Sequence, residues 1–352
     1  MIPVVQMRAI TVHPGVPDSA RLDDVPEPPA GAGAVLVRTL AMGVCGTDLE
    51  IVRGEYGTAP PGAERLILGH ESLGEVVSAP PESGLRPGQY VAGIVRRPDP
   101  VPCAACAAGE WDMCRNGQYT EHGIKGLHGF GADYFRVDPG FAVRVDSSLG
   151  LAGVLLEPAS VVAKAWDHIE HVAERAVWRP SRVLVTGAGP IGLLAALLAS
   201  QRGFEVHVLD RVTEGPKPDL VRRLGATFHS STVAEAGHDA DIVVECTGVG
   251  QLVMDVMRVV RPTGIVCLTG VSSGGRRLPV DVGNLARELV LENNVVFGTV
   301  NANRRHYELA SDALARADRQ WLGDLITRCV PVERWRDALD RQPDDVKPII
   351  TF

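Results

Sequence analysis

The stretch that decides the fold runs RVLVTGAGPIG over residues 182–192 and opens an apolar segment over residues 191–201. Its first five residues form a short β-branched run that predicts a strand, and the apolar segment is rich in helix formers. Three glycines lie at the junction: Gly187, Gly189 and Gly192. In such a turn one glycine permits the bend, one lets the backbone approach a pyrophosphate and one lets helix and strand pack closely. The stretch therefore predicts a dinucleotide site, with Pro190 and Ile191 where the helix begins.

Apolar strands recur after this turn with helical segments between them. The predicted strands are residues 205–209, 242–246 and 265–269, and the predicted helices include residues 218–224 and 251–260. Strand and helix in alternation are typical of a doubly wound parallel sheet, so this half of the chain is predicted to be an α/β domain.

Asp210 and Arg211 bear on the choice of nucleotide. Asp210 ends the second predicted strand, where a carboxylate can accept both ribose hydroxyls of NAD and repel the additional phosphate of NADP. Asp210 could instead cap a turn, and the adjacent Arg211 could stack on adenine or pair with that phosphate. The pattern favours NAD and leaves NADP possible.

The first 150 or so residues have a different texture. They are rich in Gly and Pro and contain short apolar alternations at residues 34–40, 75–78 and 89–95, which predict strands joined by turns. After about residue 300 the chain returns to mixed helix and strand and ends in the β-prone residues 348–352. Two domains are therefore expected.

Composition excludes several classes of function. The 352 residues carry 35 Lys and Arg against 43 Asp and Glu, so the net charge of -8 disfavours binding to nucleic acid. The longest strongly apolar stretch is taken to be residues 191–199, far short of the roughly 20 residues that span a bilayer, so no membrane crossing is expected. The first ten residues lack the pattern of a secretory signal, and the expected compartment is the cytoplasm.

Three short motifs supply metal-ligating groups: Cys45-Gly46-Thr47-Asp48, Gly69-His70-Glu71 and Leu156-Glu157-Pro158. A lone cysteine is more often a core residue and a lone histidine more often a structural one. Together, however, the motifs offer three or four ligands of the kind that a catalytic zinc uses while one position stays open for substrate. Asp48 is placed to accept from the other ring nitrogen of the histidine.

With these motifs the chain resembles the zinc-dependent medium-chain dehydrogenases of the alcohol dehydrogenase superfamily, nearly end to end. Further markers are Gly74, Pro87-Gly88-Gln89-Tyr90-Val91 and the tail over residues 330–350. Glu157 stands where alcohol dehydrogenases have a second cysteine, which is similar to sugar and polyol dehydrogenases. Residues 298–306, GTVNANRRH, resemble the segment near the nicotinamide in glucose dehydrogenases, especially archaeal ones.

The resemblance implies an α/β fold with a GroES-like β-rich catalytic domain over residues 1–162 and 305–352 and a Rossmann domain over residues 163–304. It implies a catalytic zinc held by Cys45, His70 and Glu157, with Glu71 as an alternate or water-mediated ligand. Thr47 would hold the substrate hydroxyl. Glu121 would be a further substrate contact, although it could instead be a solvated loop charge. Asn301, Asn303 and His306 would contact the sugar or the cofactor, although one or two of them could only satisfy local backbone groups. Further cofactor contacts would be Thr247, Gly270 and Asn301.

A cysteine-rich lobe departs from the pattern of relatives, which carry four cysteines spaced C-x2-C-x2-C-x7-C. Cys103, Cys106 and Cys114 fit the last three positions, and strict spacing puts Pro100 at the first. One inserted residue would bring Asp99 into place, and a carboxylate oxygen can complete a tetrahedral site. The hypothesis is a structural zinc with three cysteines and one aspartate.

The implied activity is transfer of hydride from a sugar hydroxyl, the anomeric one for a hexose, to NAD(P). One alternative is oxidation of another polyol, such as a cyclitol, aminocyclitol or sugar alcohol. Another is a catalytically silent protein that binds nucleotide, since a fold does not guarantee chemistry. Family membership also implies a homodimer or homotetramer.

Overall fold

The computed structural model describes residues 6–271 and 277–352. The chain divides into two compact units, one comprising Met1–Ser160 and Asn301–Phe352 and the other Val161–Val300. The first is called the β-rich unit here and the second the α/β unit.

The α/β unit is built from parallel strands and intervening helices. Its strands are β12 (Arg182–Thr186), β13 (Glu205–Leu209), β14 (Thr227–His229), β15 (Ala240–Glu245), β16 (Val260–Leu268) and β17 (Val295–Gly298). Its helices are α4 (Pro190–Gln201), α5 (Pro216–Arg223), α6 (Val233–Ala236), α7 (Gly250–Val256) and α8 (Val282–Glu292). In the described residues the sheet order is β14-β13-β12-β15-β16-β17, all parallel. This is the order of a doubly wound dinucleotide-binding fold, so the predicted fold class is confirmed.

One predicted element of this unit is wrong at its end. The helix predicted over residues 251–260 stops at Val256, and Val260 already begins β16 opposite Ala240. The reason is that an apolar run of β-branched residues suits a buried strand as well as a helix, so periodicity alone cannot place the boundary.

The β-rich unit contains short, mostly antiparallel strands. They are β1 (Gln6–Val12), β2 (Arg21–Pro26), β3 (Val35–Gly43), β4 (Leu66–Ile67), β5 (Glu71–Ser78), β6 (Tyr90–Gly93), β7 (Arg96–Arg97), β8 (Thr120–His122), β9 (Gly126–Leu127), β10 (Tyr134–Val137), β11 (Ala142–Val145), β18 (Arg328–Pro331) and β19 (Pro348–Thr351). The largest sheet has the order β11-β6-β5-β3-β19-β18, with β10 also on β3. The predicted β-prone tail is confirmed, since β19 pairs antiparallel with β3.

The helices that lie wholly in this unit are short, apart from α9 with 13 residues. They are α1 (Gly46–Val52), α2 (Ala104–Ala107), α9 (Arg304–Arg316), α10 (Arg319–Leu325) and α11 (Arg336–Leu339), with single 3-10 turns at Ala30–Ala32, Pro81–Ser83, Trp111–Met113, Pro139–Phe141 and Val332–Arg334. The helix α3 (Leu156–Ala173) follows a longer 3-10 segment at Ser147–Leu155 and continues into the α/β unit.

The helical stretch Ser147–Ala173 corrects the prediction that residues 191–199 are the longest strongly apolar stretch. It has 27 residues and contains an 18-residue window with a mean hydropathy of 1.3, which by length and composition alone would suffice to cross a membrane. However, 72% of its apolar window is buried inside the protein, as in the core helix of a protein that spans no membrane. Sequence inspection missed it because Glu157, Lys164 and small residues interrupt the apolar run.

Candidate active site

Strand register brings two of the metal-binding motifs together. β3 and β5 run antiparallel with Gly43 opposite Glu71, so the residues after β3 and before β5 lie at the same edge of the sheet. Cys45 follows β3 and His70 precedes β5 directly. The strand predicted at residues 75–78 begins earlier in the structure, at Glu71. The sequence pattern missed this start because Glu71 and Ser72 are polar, although both are buried.

The start of α1 orients the thiol of Cys45. Cys45 is the N-cap of this helix: its Sγ accepts from the Thr47 backbone N–H at 3.3 Å, and its own N–H donates to Asp48 Oδ2 at 2.9 Å. These reciprocal bonds satisfy two backbone donors that the helix itself leaves unpaired. Thr47, which is half-buried, is thereby held with its backbone nitrogen next to the sulfur.

Cys45, His70 and Glu71, called the Cys45 cluster here, offer ligand atoms that all lie within 4.8 Å of one another. The sulfur of Cys45 is 3.0 Å from His70 Nε2. A thiolate, an imidazole and a carboxylate form a donor set that zinc accepts, so the residues fit the metal that the motifs predict. Asp48 Oδ1 lies 3.5 Å from His70 Nδ1, where its charge favours a proton on that nitrogen.

Glu157 belongs to the same electrostatic environment, although it is not part of the 4.8 Å group. It lies half-buried in the first turn of α3. Burial raises its pKa to about 7, which the negative charge of Glu71 reinforces and the charge of His70 opposes. For His70 burial acts in the opposite direction, but the charges of Cys45 and Asp48 outweigh it and hold the pKa well above the ordinary value. Metal binding would have to displace protons from both groups.

A buried lysine, missed by sequence reasoning, holds Glu71. Lys347 Nζ lies 2.7 Å from both carboxylate oxygens of Glu71 and donates to the Val44 carbonyl at 3.2 Å. The two side chains are 1% and 3% exposed. A signal was available in the sequence, because a lysine directly before the apolar tail needs a buried partner if that tail forms a central strand.

Gly43 makes room for the same carboxylate. A Cβ at this position would lie 2.0 Å from Glu71 Oε2, closer than any side chain tolerates. The glycine is therefore required by the close approach of the carboxylate to the backbone of β3.

Two of the predicted sugar contacts, Glu121 and Asn301, touch each other. Asn301 Nδ2 donates to Glu121 Oε1 at 2.7 Å, and Arg96 forms an ion pair with the same oxygen at 3.0 Å. Glu121 is 5% exposed, so the alternative of a solvated loop charge is wrong. Asn301 adopts a positive φ of 64°, which asparagine tolerates better than most residues.

His306 and Asn303 satisfy local backbone groups, as the alternative interpretation anticipated for one or two residues of this segment. His306 is 1% exposed, and together with Asn303 it forms the capping box at the start of α9, with the Asn303 N–H 3.2 Å from His306 Nδ1. A contact between His306 and the sugar stays a prediction.

The structure shows a separate reason for Gly187 and for Gly192, and the predicted approach of Gly189 to a pyrophosphate stays a prediction. Gly187 has a φ of 88°, which permits the bend. A Cβ on Gly192 would lie 1.7 Å from the Gly187 carbonyl oxygen, so close packing requires this glycine. A Cβ on Gly189 would meet nothing within 4 Å, which leaves open space at the start of α4 where a pyrophosphate could bind. Pro190 and Ile191 form the first turn of that helix.

Asp210 caps the glycine turn, as the alternative interpretation anticipated. Its Oδ2 accepts from the Ala188 N–H at 2.6 Å and its Oδ1 accepts from the Val212 N–H at 3.2 Å. Each carboxylate oxygen can accept a further bond, so this cap is compatible with ribose binding. Arg211 is exposed.

A second buried carboxylate, also missed from sequence, shapes the loop after β15. Glu245 is fully buried and accepts from the Thr247 N–H at 2.7 Å, the Thr247 hydroxyl and the Gly248 N–H at 3.1 Å. A Cβ on Gly270 would lie 2.1 Å from the Gly248 nitrogen. Two predicted cofactor residues, Thr247 and Gly270, therefore flank a loop that Glu245 holds together.

The cysteine lobe, residues 99–114, brings its three cysteines together. Ligand atoms of Cys103, Cys106 and Cys114 lie within 4.8 Å of one another, and Asp99 is outside that group. Asp99 Oδ2 is buried and has no hydrogen-bond partner among the described residues, while Oδ1 accepts from the Val101 N–H at 2.9 Å. A buried carboxylate oxygen without a donor, next to three thiols in sequence, fits the predicted aspartate ligand of a structural zinc.

Comparison with known proteins agrees with this arrangement. Residues 150–352 match the family described as glucose dehydrogenase C-terminus, and residues 31–147 match the alcohol dehydrogenase GroES-like domain. Glucose 1-dehydrogenase of Methanocella arvoryzae is 40% identical over 98% of this chain and 99% of its own, and that of Thermoproteus tenax is 39% identical over 98% and 99%.

A solved structure of Haloferax mediterranei glucose dehydrogenase in complex with NADP, Zn and gluconolactone has a TM-score of 0.90. Its identity is 32%, over 98% of this chain and 99% of that one. The chain belongs to the zinc-dependent medium-chain dehydrogenases of the alcohol dehydrogenase superfamily, in their glucose dehydrogenase branch.

Proposed function

We propose that this protein transfers hydride from the anomeric hydroxyl of glucose or a related aldose to NAD(P) and releases a lactone. The observation that carries the proposal is the convergence of Cys45, His70 and Glu71 within 4.8 Å. The similarity to glucose 1-dehydrogenases over almost the whole chain supports the choice of substrate.

Cys45, His70 and either Glu157 or Glu71 would hold the catalytic zinc. When bound, the metal supplies a Lewis acid that lowers the pKa of the substrate hydroxyl. Thr47 would hold that hydroxyl and carry its proton away. Asp48 keeps the His70 ring in the tautomer whose Nε2 faces the cluster. Lys347 neutralises Glu71, so the two carboxylates near the metal do not repel each other at full strength.

Glu121 and Asn301 would bind other hydroxyls of the sugar. Carboxylate and amide groups suit sugars, since one accepts hydrogen bonds and the other both donates and accepts. His306 would contribute only if its ring left the cap of α9.

For the cofactor we propose NAD as the preferred nucleotide, with NADP accepted. The turn at Gly187, Gly189 and Gly192 would hold the pyrophosphate, and Asp210 would accept from the ribose hydroxyls while its charge repels a 2′-phosphate. Arg211 is the residue through which NADP could be accommodated. The Haloferax relative is in complex with NADP. Because the charge of Asp210 would repel the 2′-phosphate, replacing Asp210 with Ser should shift the preference in kcat/KM from NAD towards NADP.

The activity is tested with a panel of aldoses, polyols and cyclitols, with NAD or NADP, by the absorbance of reduced nucleotide. Glucose should give the highest kcat/KM, and a lactone should be the product. Turnover of a cyclitol or sugar alcohol but not of glucose would identify the alternative activity. If zinc-loaded protein binds nucleotide but turns over no member of the panel, the proposal is wrong and the silent alternative holds.

We further propose a cytoplasmic homodimer or homotetramer and a second, structural zinc in the cysteine lobe. The family of the chain supports the proposed assembly, and the convergence of Cys103, Cys106 and Cys114 supports the second zinc. Light scattering on the eluting protein measures the oligomeric mass, and a monomer would contradict the proposed assembly.

A further inference from the structure

Arg96 and Glu121 form a buried pair across two short strands. β7 and β8 are antiparallel, with Arg96 opposite Glu121. The residues are 7% and 5% exposed. A carboxylate removed from water to this extent needs a partner that compensates its charge, and Arg96 provides it.

The donors to Glu121 all converge on one of its two oxygens. Arg96 Nε and Nη2 both lie 3.0 Å from Oε1, and Asn301 Nδ2 lies 2.7 Å from that oxygen. No donor among residues 6–271 and 277–352 reaches Oε2. Oε2 is also not one of the buried polar atoms that lack a partner, so it keeps a path to solvent. A carboxylate oxygen can accept two hydrogen bonds, and Oε2 therefore remains a competent acceptor.

Arg96 is itself held on its other sides. Its Nη1 donates to the Asp112 carbonyl at 3.1 Å, and its guanidinium lies 3.7 Å from the centre of the Tyr119 ring. Hydrogen bonding along the edge and contact with an aromatic face leave the guanidinium one orientation. A lysine ammonium would preserve the charge but not the planar fork.

The anchor of Arg96 belongs to the cysteine lobe. Asp112 lies in the turn Trp111–Met113, between Cys106 and Cys114, and is 5% exposed. Its carboxylate accepts from Asn303 Nδ2 at 2.9 Å, two residues after Asn301. The lobe thus holds Arg96 directly, and through Asn303 it holds the segment that carries Asn301.

We propose that Arg96 is a positioning residue for sugar recognition: with Asn301 it holds Glu121 by Oε1 and so presents Oε2 to one hydroxyl of the sugar. This inference rests on the proposed function and specifies how its sugar site selects a substrate. Arg96 acts through Glu121 and does not touch the sugar.

The first test is Arg96→Lys, with Arg97→Lys as its matched control. Arg97 is the neighbouring arginine, donates to the Ile94 carbonyl at 2.6 Å and lies over Phe141 instead of Tyr119. Arg96→Lys should raise KM for glucose roughly tenfold because hydrogen bonds to a charged group are lost, while kcat changes less than about threefold. KM for the nucleotide should not change in either variant, and Arg97→Lys should leave KM for glucose within about twofold.

The second test asks which hydroxyl is involved, with glucose deoxygenated singly at carbon 2, 3, 4 or 6. The wild-type protein should discriminate strongly against one of these sugars, and Arg96→Lys should reduce that discrimination selectively. A general structural defect would instead raise KM for all four deoxy sugars alike. Affinity for gluconolactone, measured by calorimetry, should fall with KM.

A double-mutant cycle decides whether Arg96 acts through Glu121. In Glu121→Gln, adding Arg96→Lys should cost little more than Glu121→Gln alone. The inference would be overturned if the increases in KM from Arg96→Lys and Glu121→Gln multiplied in the double variant. It would also be overturned if Arg96→Lys lowered kcat by the same factor by which it raised KM. If Arg96→Lys does not fold, Tyr119→Leu, which removes the ring beneath the guanidinium, should give the same selective loss at smaller size.

The proposed function can fail separately from this inference. If wild-type protein oxidises another sugar or polyol instead of glucose, the proposed substrate is wrong, and the cycle is run with the compound that is turned over. If nothing is turned over and no lactone binds, both proposals fall.

Discussion

Lys347 Nζ lies 2.7 Å from each carboxylate oxygen of Glu71, and both side chains are almost completely buried. The residue directly before β19 thus supplies the countercharge to a residue of the Cys45 cluster. Glu71 is the carboxylate that the family resemblance gives as an alternate zinc ligand. Its position is therefore set by the ammonium of Lys347.

Replacing Lys347 with Met should lower the free energy of unfolding of the zinc-free protein by about 3 kcal/mol or more, because Glu71 would be left as an uncompensated buried charge. The loss should be smaller with zinc bound, since the metal can take over the neutralisation. Denaturant unfolding with and without zinc measures both values. Adding Glu71→Gln should recover much of the loss, and Lys217→Met on α5 should change stability by less than about 0.5 kcal/mol. Equal losses in both metal states would contradict the coupling.

Gly43→Ala should displace the Glu71 carboxylate, because the new Cβ would lie 2.0 Å from Oε2. The expected cost is about 1–3 kcal/mol of stability from overpacking, together with weaker retention of zinc during dialysis against a chelator. Gly46→Ala is the matched control: its Cβ would meet only Arg341, at 3.9 Å. Full zinc content and unchanged stability in Gly43→Ala would show that the carboxylate does not need this space.

Zinc affinity should rise with pH around neutrality. In the zinc-free protein, burial raises the pKa of Glu157 to about 7, and the His70 pKa is also raised, so both groups carry protons on the acidic side of neutrality. Zinc must release those protons, and each one released makes affinity fall roughly tenfold per pH unit below the pKa. Competition with a chromophoric chelator across this range measures the slope. Glu157→Gln should flatten it, and an unchanged slope in that variant would exclude Glu157 as a zinc ligand.

When the cysteine lobe holds no zinc, the thiol of Cys103 should react faster than the thiol of Cys329, which lies outside the lobe. Hydrogen bonds from the backbone of Arg115 and then of Cys106 lower the pKa of Cys103 to about 6, whereas burial raises the pKa of Cys329. At neutral pH Cys103 is therefore mainly thiolate and should be alkylated on the order of tenfold faster than Cys329. Peptide mass spectrometry after iodoacetamide treatment gives both rates. Zinc should protect Cys103 and not Cys329, and absence of that protection would mean that the lobe holds no metal.

Asp99→Asn should weaken binding of the second zinc ion per chain, because the amide keeps the acceptor for the Val101 N–H but loses the negative charge of the buried Oδ2. Metal analysis after dialysis should find one fewer zinc ion in this variant than in the wild-type protein. Glu110→Gln changes an exposed carboxylate of the same lobe and should have no effect. If Asp99→Asn retains the metal, water or another group completes the site.

The sequence by itself determined the class of fold and the chemistry of the donors. Glycines at 187, 189 and 192 between an apolar strand and an apolar helix specify a nucleotide turn, because backbone sterics and close packing allow little else there. Cysteine, histidine and carboxylate motifs likewise specify a metal, since that chemistry depends on residue type. Both kinds of information are local, because each motif by itself lies within a short window of sequence.

Only the tertiary structure decided which groups meet. The pairing of β3 with β5 and β19 joins Cys45 and His70 to Lys347, and the pairing of β7 with β8 places Arg96 on Glu121. These contacts connect residues far apart in the chain, and nothing in the local pattern around Lys347, Arg96 or Gly43 names the partner. The physical reason is that strand register is set by burial of whole faces, so the neighbour of a polar residue follows from how the sheet packs and not from the residues beside it in sequence.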